Sequence, residues 1–408
     1  MTSPAAFWPA YETGDTFLTT ADESAAIRAV RERRYYRYDA RALPDTWTGR
    51  LEHRLSGTLG ARHVLACTSG TTAIALSLLA LDLPKGSPVA CPGFTFAATP
   101  SAIVLAGHRP VLVECDEDLH LDVDDLRRTL AAGAAAVVVV HMRGMASDMT
   151  AVCAAADAFG VPVVEDAVPV LGVGLGGRAL GTYGRLGAFS TQADKPVNTG
   201  EGGFLVTDDP DAYARAVIHC GAYEGRLARH FGGQEVPSID ERSLPVYGWR
   251  MDEVRAALAL SSLDRLPERL ALQRAHYDRI TGALAGLPGI AVRRPVAPEA
   301  YSGQQLLFRV PGADALLTAR FAAHLRERGV AARTYAGPGP GYNARAYWNW
   351  RFLDADENAL PRTRRLLTEL VEVPLSPNLT QAHHERLVSA VTEASEQLDR
   401  VMTKTTRR

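Results

Sequence analysis

HVLACTSGTTAIALSLLALDL, residues 63–83, decides the fold. Its first six residues make a short apolar run, the length of one buried strand, and from Thr71 the apolar residues fall at helical spacing. The same strand-then-helix alternation recurs downstream. SPVACP (87–92), HRPVLVECD (108–116), AAAVVVVHM (134–142) and GVPVVEDA (160–167) read as further strands, rich in valine and without clean alternation. Continuous apolar strands of this kind belong to a parallel sheet covered on both faces. SAIVLAG, VDDLRRTL and MTAVCAAADAF are the helices between them. The pattern predicts an α/β fold: a doubly wound, mainly parallel-sheet domain over about residues 55–255, with ligand groups at the carboxyl ends of its strands.

Beyond this region SLDRLPERLALQRAHYDRITGALAGLPG (262–289) reads as one long connecting helix. A strand around LLFRV (306–310), a helix at ALLTARFAAHLRERG and a terminal helix from Gln381 to Met402 predict a smaller C-terminal α+β domain. The expected division is 1–260, an N-terminal arm with the large domain, and 261–408, the connecting helix with the small one.

The 408 residues, 47% hydrophobic and 22% charged, suffice for two sizeable cores. A formal charge of -2 without a dominant basic stripe argues against a nucleic-acid partner. Cys67, Cys91, Cys115, Cys153 and Cys220 lack paired metal spacing and any disulfide framework, so reduced thiols and no metal are expected. MTSPAAFWPAYETGDTF lacks the pattern of a secretory signal, and no apolar run reaches bilayer-spanning length. A cytoplasmic setting away from membranes is expected.

Only three of the 44 basic residues are lysine: Lys85, Lys195 and Lys404. Where arginine is the default cation, a lysine well inside the chain points to work that a guanidinium cannot do, namely giving up a proton and forming an imine. Lys85 lies in the turn LPKGSP and Lys404 in a polar tail, which leaves Lys195 in FSTQADKPVNTGEGGFLVTDD, 189–209. Two earlier strand ends carry complementary chemistry. TSGTTA, Thr68–Ala73, reads either as a phosphate cradle at a helix N-terminus or as an ordinary Ser/Thr cap. Asp166 ends the strand in VVEDA, placed either to keep a pyridine nitrogen protonated or to serve as a helix cap or in an ion pair. A phosphate anchor, a tuning carboxylate and an imine-forming lysine together match pyridoxal 5'-phosphate (PLP).

Taken as an ordered series, TSGTTAIALSLLAL, PGFTFAATPSAIVLAGHRPVLVECD, HMRGMASDM, GVPVVEDA, FSTQADKPVNTGEGGFLVTDD and GWRMDEVRAALALSSLDRL resemble the DegT/DnrJ/EryC1/StrS family of PLP-dependent sugar and aminocyclitol aminotransferases, over about residues 25–395. The resemblance implies the PLP-dependent transferase fold type I, as a homodimer with the cofactor at the subunit interface. It implies that Lys195 holds PLP and shuttles a proton at the substrate α-carbon, that Asp166 pairs with the pyridine nitrogen and that Phe96 stacks on the ring. Gly70, Thr71 and Ser190 correspond to phosphate contacts, and Gln192 is counted among the cofactor contacts. The implied chemistry moves an amino group from glutamate or glutamine to a keto sugar, keto cyclitol or related secondary-metabolite precursor, PLP cycling with pyridoxamine phosphate.

The chain departs from the family pattern near this site. Pro169 stands where the family carries a glutamine, and it has no side-chain hydrogen-bonding group. Leu171 replaces a histidine, Gly248 an asparagine and Thr191 a phenylalanine, while Arg250 is retained. Glu201 of GEGG is expected to brace the turn after Lys195. GPGPGYNARAYWNWRF, 337–352, reads as a loop bringing Tyr342, Asn343, Arg345 and Trp348 to a substrate or as a packing element, and Tyr35, Tyr36, His141 and Arg143 carry the same ambiguity. The departures leave two other readings open: a PLP-dependent lyase, cyclase or carbon–carbon bond-forming enzyme on an amino acid, and a silent member acting as a partner or regulator.

Overall fold

The computed structural model describes residues 8–9, 18–336, 343–353, 356 and 358–405, with side chains described as far as Leu398. The large sheet is built from β1 (His63–Cys67), β2 (Pro88–Pro92), β3 (Arg109–Val113), β4 (Ala136–Val140) and β5 (Val163–Asp166). A small hairpin, β6 (Gly174–Leu175) and β7 (Arg178–Ala179), intervenes before β8 (Leu186–Ser190) and β9 (Gly203–Thr207) complete it. The strand order is β1-β9-β8-β5-β4-β2-β3. From β3 to β8 neighbours are parallel, and β9 runs antiparallel to both β8 and β1.

Burial on both faces explains the unalternating valines. Val137 and Val139 of β4 enter one core, lined by α1 (Thr20–Glu32), α2 (Trp47–Leu59), α5 (Val123–Ala131), α6 (Met149–Asp157) and α8 (Glu253–Leu263). Ala136 and Val138 enter the other, lined by α3 (Gly70–Ala80), α4 (Ala98–Leu105) and α7 (Pro210–Cys220). Adjacent residues on a strand point to opposite faces, so a strand covered twice must be apolar at every position.

The stretch read as one connecting helix is broken. α8 ends at Leu263, and α9 (Leu266–Leu284) begins with Pro267 in its first turn, the only helical turn where a missing N–H costs nothing. Helices α1, α2 and α7, strand β8 and a strand at Leu370–Pro374 have no counterpart in the sequence expectation. Helix α2 is polar on average and depends on tertiary packing, with Thr46 accepting a hydrogen bond from the Gly49 N–H at its start.

A second sheet follows α9: β10 (Ala291–Val292), β11 (Gln305–Arg309), β12 (Arg333–Thr334) and β13 (Leu370–Pro374), antiparallel in the order β10-β11-β13-β12. It packs on α9, α10 (Ala315–Glu327) and α12 (Gln381–Thr405) around Phe308, Phe321, Val371 and Leu387. α11 (Pro361–Thr368) leads into β13. Arg293 ties this part to the large sheet, donating to the carbonyls of Asp118, Met142 and Leu119 at 2.8, 2.7 and 3.0 Å. Among the described residues no helix is long and apolar enough to cross a membrane, and the five cysteines are free thiols.

Two glycines separate close approach from mere helix propensity. A Cβ on Gly203 of β9 would lie 2.5 Å from the Ser69 carbonyl carbon and 2.7 Å from the Gly70 nitrogen, whereas one on Gly57 of α2 would meet nothing within 4 Å. Gly203→Ala is expected to destabilise the protein by about 1–3 kcal/mol through overpacking against backbone. Gly57→Ala should stabilise it by roughly 0.5–1 kcal/mol. Urea unfolding of the two variants checks both signs.

Candidate active site

Three strand ends of the large sheet converge on one cavity of about 560 Å3. At the first, Ser69 caps α3. Its Oγ accepts from the Thr72 N–H at 3.1 Å, and Thr72 Oγ1 accepts from the Ser69 N–H at 2.9 Å. This capping box leaves the N–H groups of Gly70 and Thr71 without a hydrogen-bond partner among the described residues. They sit at the positive end of the helix, where an anion is favoured. A Cβ on Gly70 would come within 2.8 Å of Ser190 Cβ and 2.9 Å of Val168 Cγ2, so only glycine lets the end of β8 close against this turn.

Asp166 closes β5. Its Oδ2 accepts from Thr99 Oγ1 at 2.8 Å, Oδ1 accepts from the Val168 N–H at 3.3 Å, and Thr95 Oγ1 lies 2.7 Å from the Thr99 hydroxyl. Burial pushes its carboxyl above the ordinary range, opposed by the Thr99 and Val168 hydrogen bonds and by the charges of His141 and Lys195. Among the described residues it has no ion pair. Its neighbour Glu165 points the other way and is fully committed: it contacts His141 Nε2 at 3.0 Å and accepts from the N–H groups of Gly181 and Gly184 at 2.7 and 2.6 Å. His141 Nδ1 accepts from the Ser147 N–H at 3.1 Å. His141 therefore works inside the sheet and does not reach the cavity.

The lysine loop, 190–202, folds on itself. Thr191 N–H donates to Gly202 O at 2.9 Å, Ala193 N–H to Gly200 O at 3.1 Å and Lys195 N–H to Gln192 O at 2.8 Å. Gly200, at φ +78, takes the left-handed conformation that reverses the chain. Ser190 Oγ accepts from the Gln192 N–H at 3.2 Å. Lys195 Nζ lies 2.9 Å from Asp194 Oδ1, with both side chains about four-fifths buried.

The opposite wall combines Phe96 with residues of the second sheet and the segment after it. Phe96, 48% exposed, lies under the guanidinium of Arg345, 5.4 Å from the ring centroid. Arg143, at φ +59, donates through Nε to Glu372 Oε2 at 3.1 Å and also through Nη2, and the Tyr335 hydroxyl donates to the same carboxylate. Burial alone would raise Glu372, but Arg143 and Arg345 hold its carboxyl below the ordinary range. Burial and then the neighbouring Arg143 push the Arg345 guanidinium down. Pro169 lines the cavity, its carbonyl accepting from Gln304 Nε2 at 2.7 Å, while Leu171 is part of the core.

Gly70, Thr71, Phe96, Asp166, Ser190, Gln192, Lys195 and Arg345 thus line a single cavity, as does Glu201. Tyr35 does not: it is exposed, its hydroxyl on the Val30 carbonyl at 3.1 Å. Tyr36 faces Tyr223 and Arg250 on the surface. Asn343 supports the wall from behind, donating to Thr334 O at 3.1 Å and accepting from the Arg345 N–H at 3.0 Å. Trp348 packs edge-on to Tyr347 under Arg364. Tyr342 lies outside the described residues. Sequence reasoning missed Thr99, Gln304 and Gln305 as cavity-lining groups and Glu372 as the partner of Arg143, which it had offered only as an ambiguous candidate. Only the four-residue spacing of Thr95 and Thr99 carried any signal.

This architecture is shared with solved aminotransferases. A 3-amino-5-hydroxybenzoic acid synthase superposes with a TM-score of 0.80 at 22% identity, covering 96% of this chain and 99% of its own. The aminotransferase TlmJ from Streptoalloteichus hindustanus gives 0.77 at 25%, covering 94% and 98%. An aminotransferase from Psychrobacter cryohalolentis gives 0.80 at 23%, covering 96% and 98%. The fold is therefore that of the type I PLP-dependent transferases. The model of the DegT/DnrJ/EryC1/StrS aminotransferase family matches residues 46–392, and the chain belongs to that family. It is an enzyme, an aminotransferase, and the family implies PLP.

The residues present fit that cofactor. A glycine-walled helix N-terminus with two free N–H groups suits a phosphate, and a buried carboxylate without an ion pair suits a protonated ring nitrogen. Asp166 then has a defined cost in the cofactor-free protein. Its carboxyl is raised above the ordinary value of about 3.9, so its own contribution to stability is fully present at low pH and is lost as pH rises through the raised value. Each tenfold change in proton affinity corresponds to about 1.4 kcal/mol. Cofactor-free Asp166→Asn should therefore melt above wild type at neutral pH, the gap closing as pH falls toward about 4. Melting curves across pH check this.

Proposed function

We propose that this enzyme moves an amino group from glutamate or glutamine to a keto sugar, keto cyclitol or related secondary-metabolite precursor, using PLP that cycles with pyridoxamine phosphate. The observation that carries the reading is the convergence of Lys195, Asp166 and the Gly70–Thr71 helix start on one cavity. When bound, PLP supplies a carbonyl carbon that takes an amine and a ring that withdraws electrons from the substrate α-carbon.

The chain's own groups then divide the work. Gly70 and Thr71 N–H with Ser190 Oγ bind the phosphate, and Phe96 covers a ring face. Asp166 holds a proton at the ring nitrogen, and the Thr99 hydroxyl on Oδ2 fixes its orientation. Gln192 keeps the lysine loop in register through its carbonyl. Lys195 Nζ anchors the cofactor and, once released, carries the proton to and from the substrate α-carbon. Asp194 Oδ1, 2.9 Å away, positions that Nζ between turns.

We place this activity in a cytoplasmic homodimer, with a second copy completing the cavity mouth and the chain divided into a large unit, 1–260, and a small unit, 261–408. The retained Lys195 favours amino transfer over a silent partner role. With PLP, wild type should show a visible absorption band that Lys195→Ala lacks, and should release oxo acid from glutamate or glutamine. The variant's rate should fall by between about a hundredfold and ten-thousandfold. Oxo acid from neither donor would overturn the donor assignment.

A further inference from the structure

We propose that Arg345 is a specificity-determining residue that binds a carboxylate of the substrate, with the Arg143–Glu372 pair keeping it available. The inference rests on reading this cavity as the aminotransfer site. Arg345 lines the cavity, yet among the described residues its guanidinium makes no hydrogen bond and no ion pair. Its contact is the face of Phe96, 5.4 Å from the centroid. The carboxylate that acts on it, Glu372, is engaged elsewhere: both its oxygens take hydrogen bonds from Arg143, and one also from Tyr335. Two guanidinium groups thus share one carboxylate, and one positive charge is left over.

That charge is held in place. The Arg345 N–H donates to Asn343 Oδ1 at 3.0 Å, and the Ala344 carbonyl accepts from the Ala97 N–H at 2.9 Å, tying the segment to the loop that carries Phe96. A guanidinium with one face on an aromatic ring presents its N–H edges, and an edge with two parallel donors matches the two oxygens of a carboxylate. Gln305, 5% exposed on the same wall, has its Oε1 without a partner, so an N–H or O–H of the same substrate has an acceptor there. The free N–H groups of Gly70 and Thr71 serve the phosphate end of the cavity. The chemistry that fits the Arg345 end is a carboxylate with a neighbouring hydroxyl or amino group, borne by the amino donor or by the acceptor.

The test titrates PLP-loaded wild type, Arg345→Gln and Arg345→Lys with succinate by calorimetry and, separately, their cofactor-free forms with inorganic phosphate, because bound PLP would fill the Gly70–Thr71 end. Both variants are first matched to wild type in melting temperature and in the lysine-dependent visible band. Charge-assisted hydrogen bonds of this kind should make Arg345→Gln bind succinate about ten- to a hundredfold more weakly. Arg345→Lys should recover part of the loss, and phosphate binding should not change. If Arg345→Gln fails to load PLP, the lysine variant alone decides: succinate weakened severalfold supports the subsite, and wild-type affinity overturns it. Unchanged succinate affinity in Arg345→Gln, equal weakening of phosphate, or no succinate binding to wild type also overturns the proposal. The KM for glutamate then names the source. A tenfold rise with little change in kcat assigns the donor, and an unchanged KM beside weakened succinate binding assigns the acceptor. Succinate cannot turn over, so this result is independent of whether glutamate or glutamine is the true donor.

Discussion

The parity of β5 is the constraint on which the site depends. Glu165 and Asp166 are consecutive on a strand buried on both faces, so one carboxylate must point into each layer. An isolated buried carboxylate is costly, and the two are accommodated differently. Glu165 is satisfied within the fold by His141 and by two N–H groups of the 181–184 turn. Asp166 receives a threonine hydroxyl and one backbone N–H, leaving a carboxyl that burial still pushes up. A one-residue slip would exchange these roles and turn the reactive carboxylate into the wrong layer. The hydrogen bonds that hold Glu165 therefore also fix the register of Asp166.

The chain's bias toward arginine follows from the same economy of buried charge. Arg37, essentially inaccessible, reaches both oxygens of Glu52 from its Nη2 at 2.9 Å while its Nη1 donates to the Ala66 carbonyl, and Arg293 bridges three carbonyls between the two sheets. These sites use the planar fork of a guanidinium that stays charged when buried. An ammonium would leave donors misaligned or lose its proton. The interior cations are therefore arginine wherever charge is structural. Lys195 stands apart because the proposed amino transfer asks for a proton that can leave.

This division explains what could be read from sequence. The strands at 63–68, 87–92, 134–142 and 160–167 were legible because two-sided burial writes itself as continuous apolar runs; Gly70, Thr71, Phe96 and Asp166 were legible because they end those runs or follow them closely, and Lys195 because lysine is so rare in this chain. Helix α2 was not legible, because it is polar on average and its start depends on Thr46 and on packing against α8. The break between α8 and α9 was marked by Pro267, whose place in a first turn can be recognised only once the preceding helix is known to stop at Leu263. Asn343 and Trp348 look like ligand-binding residues by type, but one braces a backbone turn and the other fills a packing gap.

The part of the cavity proposed to read the substrate is assembled differently from the part proposed to hold the cofactor. Gly70, Asp166 and Lys195 stand on strands or adjoining loops of one sheet, so their spacing along the chain preserves their relation in space. Arg143, Gln305, Arg345 and Glu372 come from both sheets and an intervening segment, and no regular repeat relates them. What joins them is electrostatic: Glu372, on β13 of the second sheet, pairs with Arg143, which follows β4 in a left-handed backbone position, and it acts on the charge of Arg345 with no hydrogen bond to it among the described residues. The carboxylate that docks the two sheets together therefore also sets the charge facing the substrate. A change at Glu372 that altered specificity would loosen the sheets as well, whereas Arg345, bound to neither sheet through its side chain, can vary without disturbing the fold. Substrate choice is for that reason expected to reside in the segment that follows β12, and the cofactor chemistry in the strand ends that precede it.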